Sequence, residues 1–478
     1  MSPTTALSSP VAARSFASAV LPVMAVVLLG FAVIGLALPV LPRHVHDGLG
    51  FGPFTVGLVT GAQFATSLTS RFWSGDFADR RGGKRAIVLG LAAAAVGGGL
   101  YLLSLPFVER PVLSVSILLA GRAVIGGAES LIITGAMSLG LSRAGPLQTG
   151  QVIAWVGTAM FAALALGSPL GAAIDDAFGL RAIALATVAL PFVAMIALAP
   201  LEAPPVRGRG RSSIAHVLGG VWLPGLGAAL GSVGFGSILT FSVLLFADRG
   251  WGLGWLAVTS FAAALIAARL LLGQLADRFG GARIAGIAAP VGAAGQALVW
   301  LAPAAWIALA GCALTGICWA LVYPAFGVEA VRRSPPENRG LAMGAYSAFP
   351  DLALGLSGPA LGLLASGVGL DPIFLASGAL MLYAVPAAIV LQRGNAVSRP
   401  LPGWLNAPRG SLLVPSRPLP ARSPMRPGRA EALVADERIA ERPGESKVRR
   451  GRALARPIVN RWALGLRCPC AGAFMRAC

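Results

Sequence analysis

Charge is scarce in this chain, and the charges that fall inside long apolar runs are the residues with chemistry to perform. A charged side chain at the centre of a hydrocarbon layer costs about 2.5–3.5 kcal/mol on insertion scales, so each one kept there is a functional candidate. Arg122 and Glu129 share one such run at a spacing of seven residues, which is two helical turns and places both on one face, roughly 10 Å apart. A nearby arginine favours the ionised carboxylate, and screening or withdrawing it lets the carboxyl take up a proton. Glu129 is therefore the first candidate for a proton carrier, with Arg122 beside it; the plainer reading is a structural ion pair between helices. Asp351 follows Pro350 in an otherwise apolar run. It is the second candidate, for a proton or a cationic substrate, because burial disfavours a charged carboxylate. The alternative is a carboxyl that hydrogen-bonds a helix kinked at Pro350.

Such residues need helices to hold them. Of 478 residues, 56% are hydrophobic and 12% charged, whereas a soluble domain is roughly a quarter charged. Crossing a bilayer takes about 20 mostly apolar residues per helix, since no water is there to satisfy the backbone. Twelve runs of that kind lie at roughly 17–42, 53–74, 86–107, 112–141, 149–174, 180–201, 216–247, 253–274, 284–303, 305–331, 339–369 and 371–392. The first is too long for a signal-peptide core and is read as a retained anchor. The fold class expected is all-α integral membrane.

The formal charge of +19 is unevenly spread: 16 basic and 5 acidic residues follow residue 393, leaving the apolar body at +8. Within that body the loops alternate. One side holds 14 arginines and lysines, among them Arg80, Arg81, Lys84, Arg85, Arg278 and Arg283, and the other only Arg43, Arg110, Arg181 and Arg249. The positive-inside rule puts the first side, with both termini, in the cytoplasm.

The chain repeats itself. Residues 71–85 recur at 269–283 with eight of fifteen positions identical, at an offset of 198. A second correspondence, at an offset of 190, pairs Ala120-Gly121 with Ala310-Gly311, Arg143 with Arg333, Pro146 with Pro336, Gly150 with Gly340 and Pro169 with Pro359. The difference between offsets requires a shortening in the third helix of the second copy and the loop beyond it. The organisation expected is a cytoplasmic segment (1–16), a six-helix bundle (17–201), a Pro-, Gly- and Arg-rich linker (202–215), a second six-helix bundle (216–393) and a basic tail (394–478). The tail's composition cannot bury a core and suits either disorder or anionic headgroups. It carries no RNA-binding motif, so no nucleic-acid partner is expected.

The repeated loops carry Gly75, Asp79, Arg80, Gly82, Lys84 and Arg85 in the first copy and Gly273, Asp277, Arg278, Gly280 and Arg283 in the second. Glycine at a helix end permits close approach, and each aspartate can pair with arginine or cap the next helix. They form a candidate latch between the halves; otherwise they are ordinary positive-inside loops. Pro169 corresponds to Pro359, and the segments around them, with Gly167 and Gly171 in one and Gly358 and Gly362 in the other, combine a lost backbone hydrogen bond with room for close packing, as hinges require. Arg71 and Arg269, each four residues before the loop glycine, are read as snorkelling or joining the latch.

On these motifs the chain resembles the major facilitator superfamily. Gly75–Arg85 is similar to its signature loop between helices two and three, and Gly273–Arg283 to the counterpart between helices eight and nine. The stretch Pro324 to Gly340 is similar to an efflux-like bacterial subgroup related to YhhS. The resemblance covers about residues 15–393 and implies twelve helices in two pseudo-symmetric halves, in a bacterial inner membrane. It further implies that the loops gate the outward-facing state and that Arg122, in the setting Gly121-Arg122-Ala-Val-Ile-Gly126, helps proton transfer. The antiporter signature of helix five is matched only in part, since Ser168 replaces its first glycine and Gly171 follows Pro169 by two.

Gln63, Gln151, Trp155, Trp319, Tyr323 and Tyr346 are candidates to line a central cavity, although tryptophan and tyrosine also favour membrane interfaces. His44 and His46 are placed in a solvated outer loop. Cys312 and Cys318 read as packing residues, and Cys468, Cys470 and Cys478 complete no metal site. No metal or cofactor is expected. The chain has no His-Glu-x-x-His motif and no nucleophile–base pair, which excludes the commonest membrane-enzyme chemistries. The function expected is proton-coupled efflux of a small organic molecule by a monomer; the alternatives are uptake of a sugar or metabolite, or a non-transporting receptor.

Overall fold

In hydrocarbon a backbone satisfies its polar groups by bonding each amide within its own helix. The computed structural model describes residues 16–144, 148–202, 214–334 and 339–397, and no strand occurs among them. The linker from 203 to 213, the repeat prolines Pro146 and Pro336, and the tail from 398 lie outside the described residues. The order is α1 (Phe16–Ala37), a short α2 (Leu41–Arg43) with a π turn, α3 (Pro53–Arg81), α4 (Gly83–Ser104), α5 (Pro111–Ala144), α6 (Thr149–Phe178) and α7 (Leu180–Leu198). After the linker come α8 (Ile214–Asp248), α9 (Trp255–Leu272), α10 (Leu275–Phe279), α11 (Gly281–Leu301), α12 (Ala305–Arg332), α13 (Arg339–Val368), α14 (Asp371–Leu382) and α15 (Ala384–Val397).

Eleven stretches among the described residues are long and apolar enough to cross a bilayer, α14 and α15 counting as one. The remaining one of the twelve expected runs is α3. Its 29 residues span about 43 Å, ample for a crossing, but they include Thr60, Gln63, Ser67 and Ser74, all buried. A polar face turned inward lowers the hydropathy of a helix without exposing it to lipid.

Backbone geometry repeats along the chain. Gly82 (φ 90°) and Gly280 (φ 92°) join α3 to α4 and α10 to α11, and Gly179 and Gly369 make the corresponding turns near the other end, with φ 73° and 89°. Only glycine holds such φ values without strain. Gly83 leaves room for the Gly135 carbonyl and Gly281 for that of Ala325, so the two helix pairs approach backbone to backbone. α4 and α11 are nearly equal, at 22 and 21 residues. The expected shortening therefore falls beyond the third helix, where the first copy has an extra turn at Leu105–Phe107 and a longer helix, 34 residues in α5 against 28 in α12.

Glycines also set the closest helix contacts. Gly167 and Gly171 face Gly35 and Leu36 of α1, while Gly358 and Gly362 of α13 face Gly57 and Pro53 of α3. The α3–α13 contact closes one end of the bundle, where Ser168 also donates to the Trp255 carbonyl at 3.0 Å and Thr259 to that of Ala165 at 3.3 Å. At that same end Arg249 fastens three helices, pairing with Asp371 at 2.5 Å, donating to the Trp300 carbonyl at 3.1 Å and lying over the Trp251 ring. At the opposite end Glu329, fully buried, accepts from the Ala282 amide at 3.3 Å and pairs with Arg332 at 3.5 Å, fixing the start of α11.

Gly82→Ala and Gly280→Ala should each cost about 1–3 kcal/mol of stability, the range for a side chain forced into a glycine-only conformation. Gly75→Ala, whose methyl would meet nothing within 4 Å, should leave stability unchanged. Unfolding midpoints of the purified protein in detergent check the contrast.

Candidate functional site

The buried polar residues of α3 recur every three or four positions, Thr60, Gln63, Ser67, Arg71 and Ser74, the spacing of one helical face. Two neighbours meet that face. From α5, Ser130 donates to Ser74 at 3.1 Å, and Glu129 accepts from the Gln63 side-chain amide at 2.7 Å. From α13, Asp351 takes an ion pair and hydrogen bond from Arg71, whose other terminal nitrogen donates to Ser347 at 3.3 Å. Arg71 and Asp351 are only 19% and 14% exposed, so each is the other's principal counter-charge. The pair bridges a helix that precedes the linker and one that follows it.

Aromatic rings continue the interior. Tyr346 donates to the Tyr323 carbonyl at 2.5 Å, and the rings of Tyr323 and Tyr346 lie 5.3 Å apart. Trp319 stands 5.3 Å from Tyr323 and stacks on Phe235, which stacks in turn on Phe261 at 4.9 Å. Arg269 of α9 reaches across to α6, where its guanidinium lies 5.1 Å from the Phe161 ring centre and against Gly157.

Several sequence expectations change on this geometry. Arg71 does not snorkel, and it ties the two halves together within the bundle rather than at the loop. Its α3 runs ten residues further, about 15 Å, before ending, so its side chain meets Asp351 inside the bundle. Asp351 is for the same reason not isolated. Arg122 and Glu129 form no ion pair among the described residues. Glu129 takes Gln63 as its donor, while the buried Arg122 Nε and Nη1 atoms have no acceptor among the described residues.

The duplicated loops bond locally: Arg80 pairs with Asp76 at 2.8 Å, Arg278 donates to Gln274 at 2.9 Å, and Lys84 caps the end of α7 through the carbonyls of Ala199 and Leu201. Asp79 and Asp277 have no hydrogen bond or ion pair among the described residues. The hinge prolines Pro169 and Pro359, and Pro350 beside Asp351, lie within continuous helices. Gln151 is exposed and Trp155 half-buried. His44 and His46 are half-buried rather than solvated, since the turn after α2 folds them inward and His46 Nδ1 lies 2.8 Å from the Phe51 carbonyl oxygen. Sequence reasoning missed Ser347, Phe161, Phe235 and Phe261, of which nothing but their repeat positions gives notice.

Comparison with known proteins fits this architecture. The profile of the Major Facilitator Superfamily matches residues 20–353 and, overlapping, 226–462. An uncharacterized MFS-type transporter of Pseudomonas aeruginosa is 42% identical over 366 residues, covering 76% of this chain and 91% of the relative. Another, from Burkholderia mallei, is 40% identical over 403 residues, covering 83% and 98%. The crystal structure of a bacterial homologue of the human lysosomal transporter Spinster, inward-facing and unoccupied, shares the fold with a TM-score of 0.67 at 14% identity, over 81% of this chain and 99% of that one. The chain belongs to the Major Facilitator Superfamily, a family of multi-pass membrane transporters and not of enzymes.

Removing one partner of a buried ion pair leaves an uncompensated charge, with a penalty of the order of 3 kcal/mol or more. Arg71→Ala and Asp351→Ala should each lower the unfolding midpoint, and the double variant should lose less than the two single losses together. Additive losses in that thermodynamic cycle would mean the two side chains do not interact.

Proposed function

We propose that the protein is a proton-coupled secondary transporter that exports a small organic molecule across the bacterial inner membrane by alternating access. The observation that carries this reading is the pair of carboxyls on one polar helix face, Glu129 with Gln63 and Asp351 with Arg71. The second of these spans the two proposed six-helix bundles, 17–201 and 216–393. A proton on Asp351 cancels the charge that holds Arg71 and so loosens the contact between the bundles. Glu129, hydrogen-bonded to the same helix two turns away, passes or stores that proton. Site roles follow: Glu129 and Asp351 carry protons, Arg71 is the switchable partner, and Arg122 bounds the path.

The distribution of arginine supports a cytoplasmic position for the Asp79 and Asp277 loops and for both termini. The closed α3–α13 end then faces outward, and the loops make no cross-bundle hydrogen bond or ion pair among the described residues, which suits an inward-facing arrangement in which their latch is released. The Gly358 and Gly362 contacts would part as the outer side opens, with the bundles of a monomer rocking about a midplane site. Uptake of a sugar or metabolite uses the same parts in the reverse direction; the incomplete antiporter signature at Ser168 and Gly171 is the feature that favours it.

The test is transport by the protein in proteoliposomes under an imposed pH gradient, with a panel of labelled organic solutes. Wild type should accumulate a solute against its gradient when protons flow the other way. Glu129→Gln and Asp351→Asn should abolish gradient-driven accumulation while leaving counterflow exchange in at least one of them. Flux that ignores the gradient, or coupling that survives in both variants, overturns the mechanism. Accumulation in the direction of proton flow would make it a symporter, and binding without flux a receptor.

A further inference from the structure

The internal repeat allows the surroundings of Arg71 and Arg269 to be compared atom group by atom group. The offset of 198 that relates these two arginines joins α3 to α9, and the offset of 190 joins α13 to α6. Asp351, the counter-ion of Arg71, corresponds to Phe161, and Ser347, its hydrogen-bond acceptor, to Gly157. Arg269 makes contact with those same two residues: its guanidinium stands over the Phe161 ring and against Gly157. The two cations occupy equivalent crossings, and at Arg269 both acceptors have been replaced by groups that accept no strong hydrogen bond. No ion pair or side-chain hydrogen bond to Arg269 occurs among the described residues.

The surroundings differ in the same sense. Gln63, Ser67 and Ser74 of α3 become Phe261, Leu265 and Leu272 in α9, and Glu129 of α5 becomes Trp319 in α12. Arg269 is thus a cation on an apolar helix, at the edge of the Phe161–Phe235–Trp319 ring cluster. A guanidinium presents a fork of donors that a carboxylate, sulfonate or phosphate matches in geometry and charge, and the rings, packed on one another with Phe161 2%, Phe235 7% and Trp319 5% exposed, would present faces to an apolar or aromatic body as the bundles move apart.

We propose that Arg269 is the substrate's anchor and that the solute is an amphipathic organic anion, its acid group on the Arg269 fork and its apolar body against Phe161, Phe235 and Trp319. This rests on the reading of the bundle interior as a transport path. The charged substrate supplies the counter-ion that the repeat supplies to Arg71 as Asp351. A cationic solute is excluded from this position by like charge, and a neutral one leaves the guanidinium unpaired.

The test is equilibrium binding to the full chain in nanodiscs, followed by tryptophan fluorescence and thermal shift, with four probes of one shape: 2-naphthoate, 2-naphthalenesulfonate, 2-naphthyl phosphate and the cation 2-naphthylmethylammonium. At least one anion should bind saturably and the cation should not. Arg269→Gln should weaken the bound anion at least tenfold, and Arg269→Lys should keep part of it. Phe161→Asp, which restores the missing carboxylate, should abolish anion binding while raising the unfolding midpoint of the ligand-free protein, a readout that also shows the variant is folded. Binding of the cation in preference to all three anions, binding of none of the anions, or anion binding unchanged in Arg269→Gln overturns the proposal. Anion binding that holds while the pH gradient drives no flux would instead overturn the coupling mechanism and leave the anion site standing.

Discussion

A charge kept inside a hydrocarbon layer must have its counter-charge beside it, and the interior of this bundle is organised by how that demand is met. Arg71 and Asp351 meet it for each other, and they belong to helices on opposite sides of the linker. Separating those helices at this level would uncover both charges together. The neighbouring contact is of another kind: Gly57, Gly61, Gly355, Gly358 and Gly362 bring α3 and α13 together largely backbone to backbone, with only Pro359 and Ala65 side-chain atoms between them. Glycine seams are held by dispersion and shape, which fall off within an ångström of separation. An ion pair that protonation can cancel, next to a seam that either fits or parts, makes a contact with two discrete arrangements.

Two demands are copied faithfully between the repeats, and a third is not. The positive-φ turns at Gly82 and Gly280, and the backbone approaches at Gly83 and Gly281, recur with closely similar dihedral angles. They are requirements of helix geometry, so each copy needs its own. Side-chain chemistry is divided instead. The polar face of α3 with Glu129 has its counterpart in Phe261, Leu265 and Trp319, so titratable groups collect around one set of helices and stacked rings around the other. A proton path and a surface for an organic solute make opposite demands on polarity, and a duplicated scaffold offers two equivalent helix crossings at which each can be met.

The division also explains what was legible in the sequence. Helix number and order were readable from apolar runs, because bilayer thickness fixes how long such runs must be; α3 was readable even though its own hydropathy is low, since enough apolar residues cover its other face. The loop glycines were readable from their recurrence. The depth of Arg71 is not legible from its spacing to Gly75, because the helix runs on to Arg81 and carries the arginine well inside. Its pairing with Asp351 joins positions 280 residues apart, and no local pattern announces a contact of that kind. The ring cluster was missed for a related reason: in a membrane chain a phenylalanine on an apolar helix looks the same whether it faces lipid or the interior.

The polar face of α3 carries one further argument about why Glu129 and Asp351 belong together. Between Gln63, which holds Glu129, and Arg71, which holds Asp351, the Gln63 Oε1, the Ser67 hydroxyl and Arg71 Nε are all buried without a hydrogen-bond partner among the described residues. Unpaired buried groups cost about 1–3 kcal/mol each, and α9 shows that the scaffold folds with phenylalanine and leucine at positions 261 and 265 instead. Packing alone therefore does not account for the row. Donors and acceptors with a bond to spare are what a proton moving between two carboxyls requires, because each transfer leaves a partner that must find a new one. Under the transport reading the partly satisfied face of α3 is the connection between the two acids, and the stability it forgoes is the cost of letting their bonds exchange.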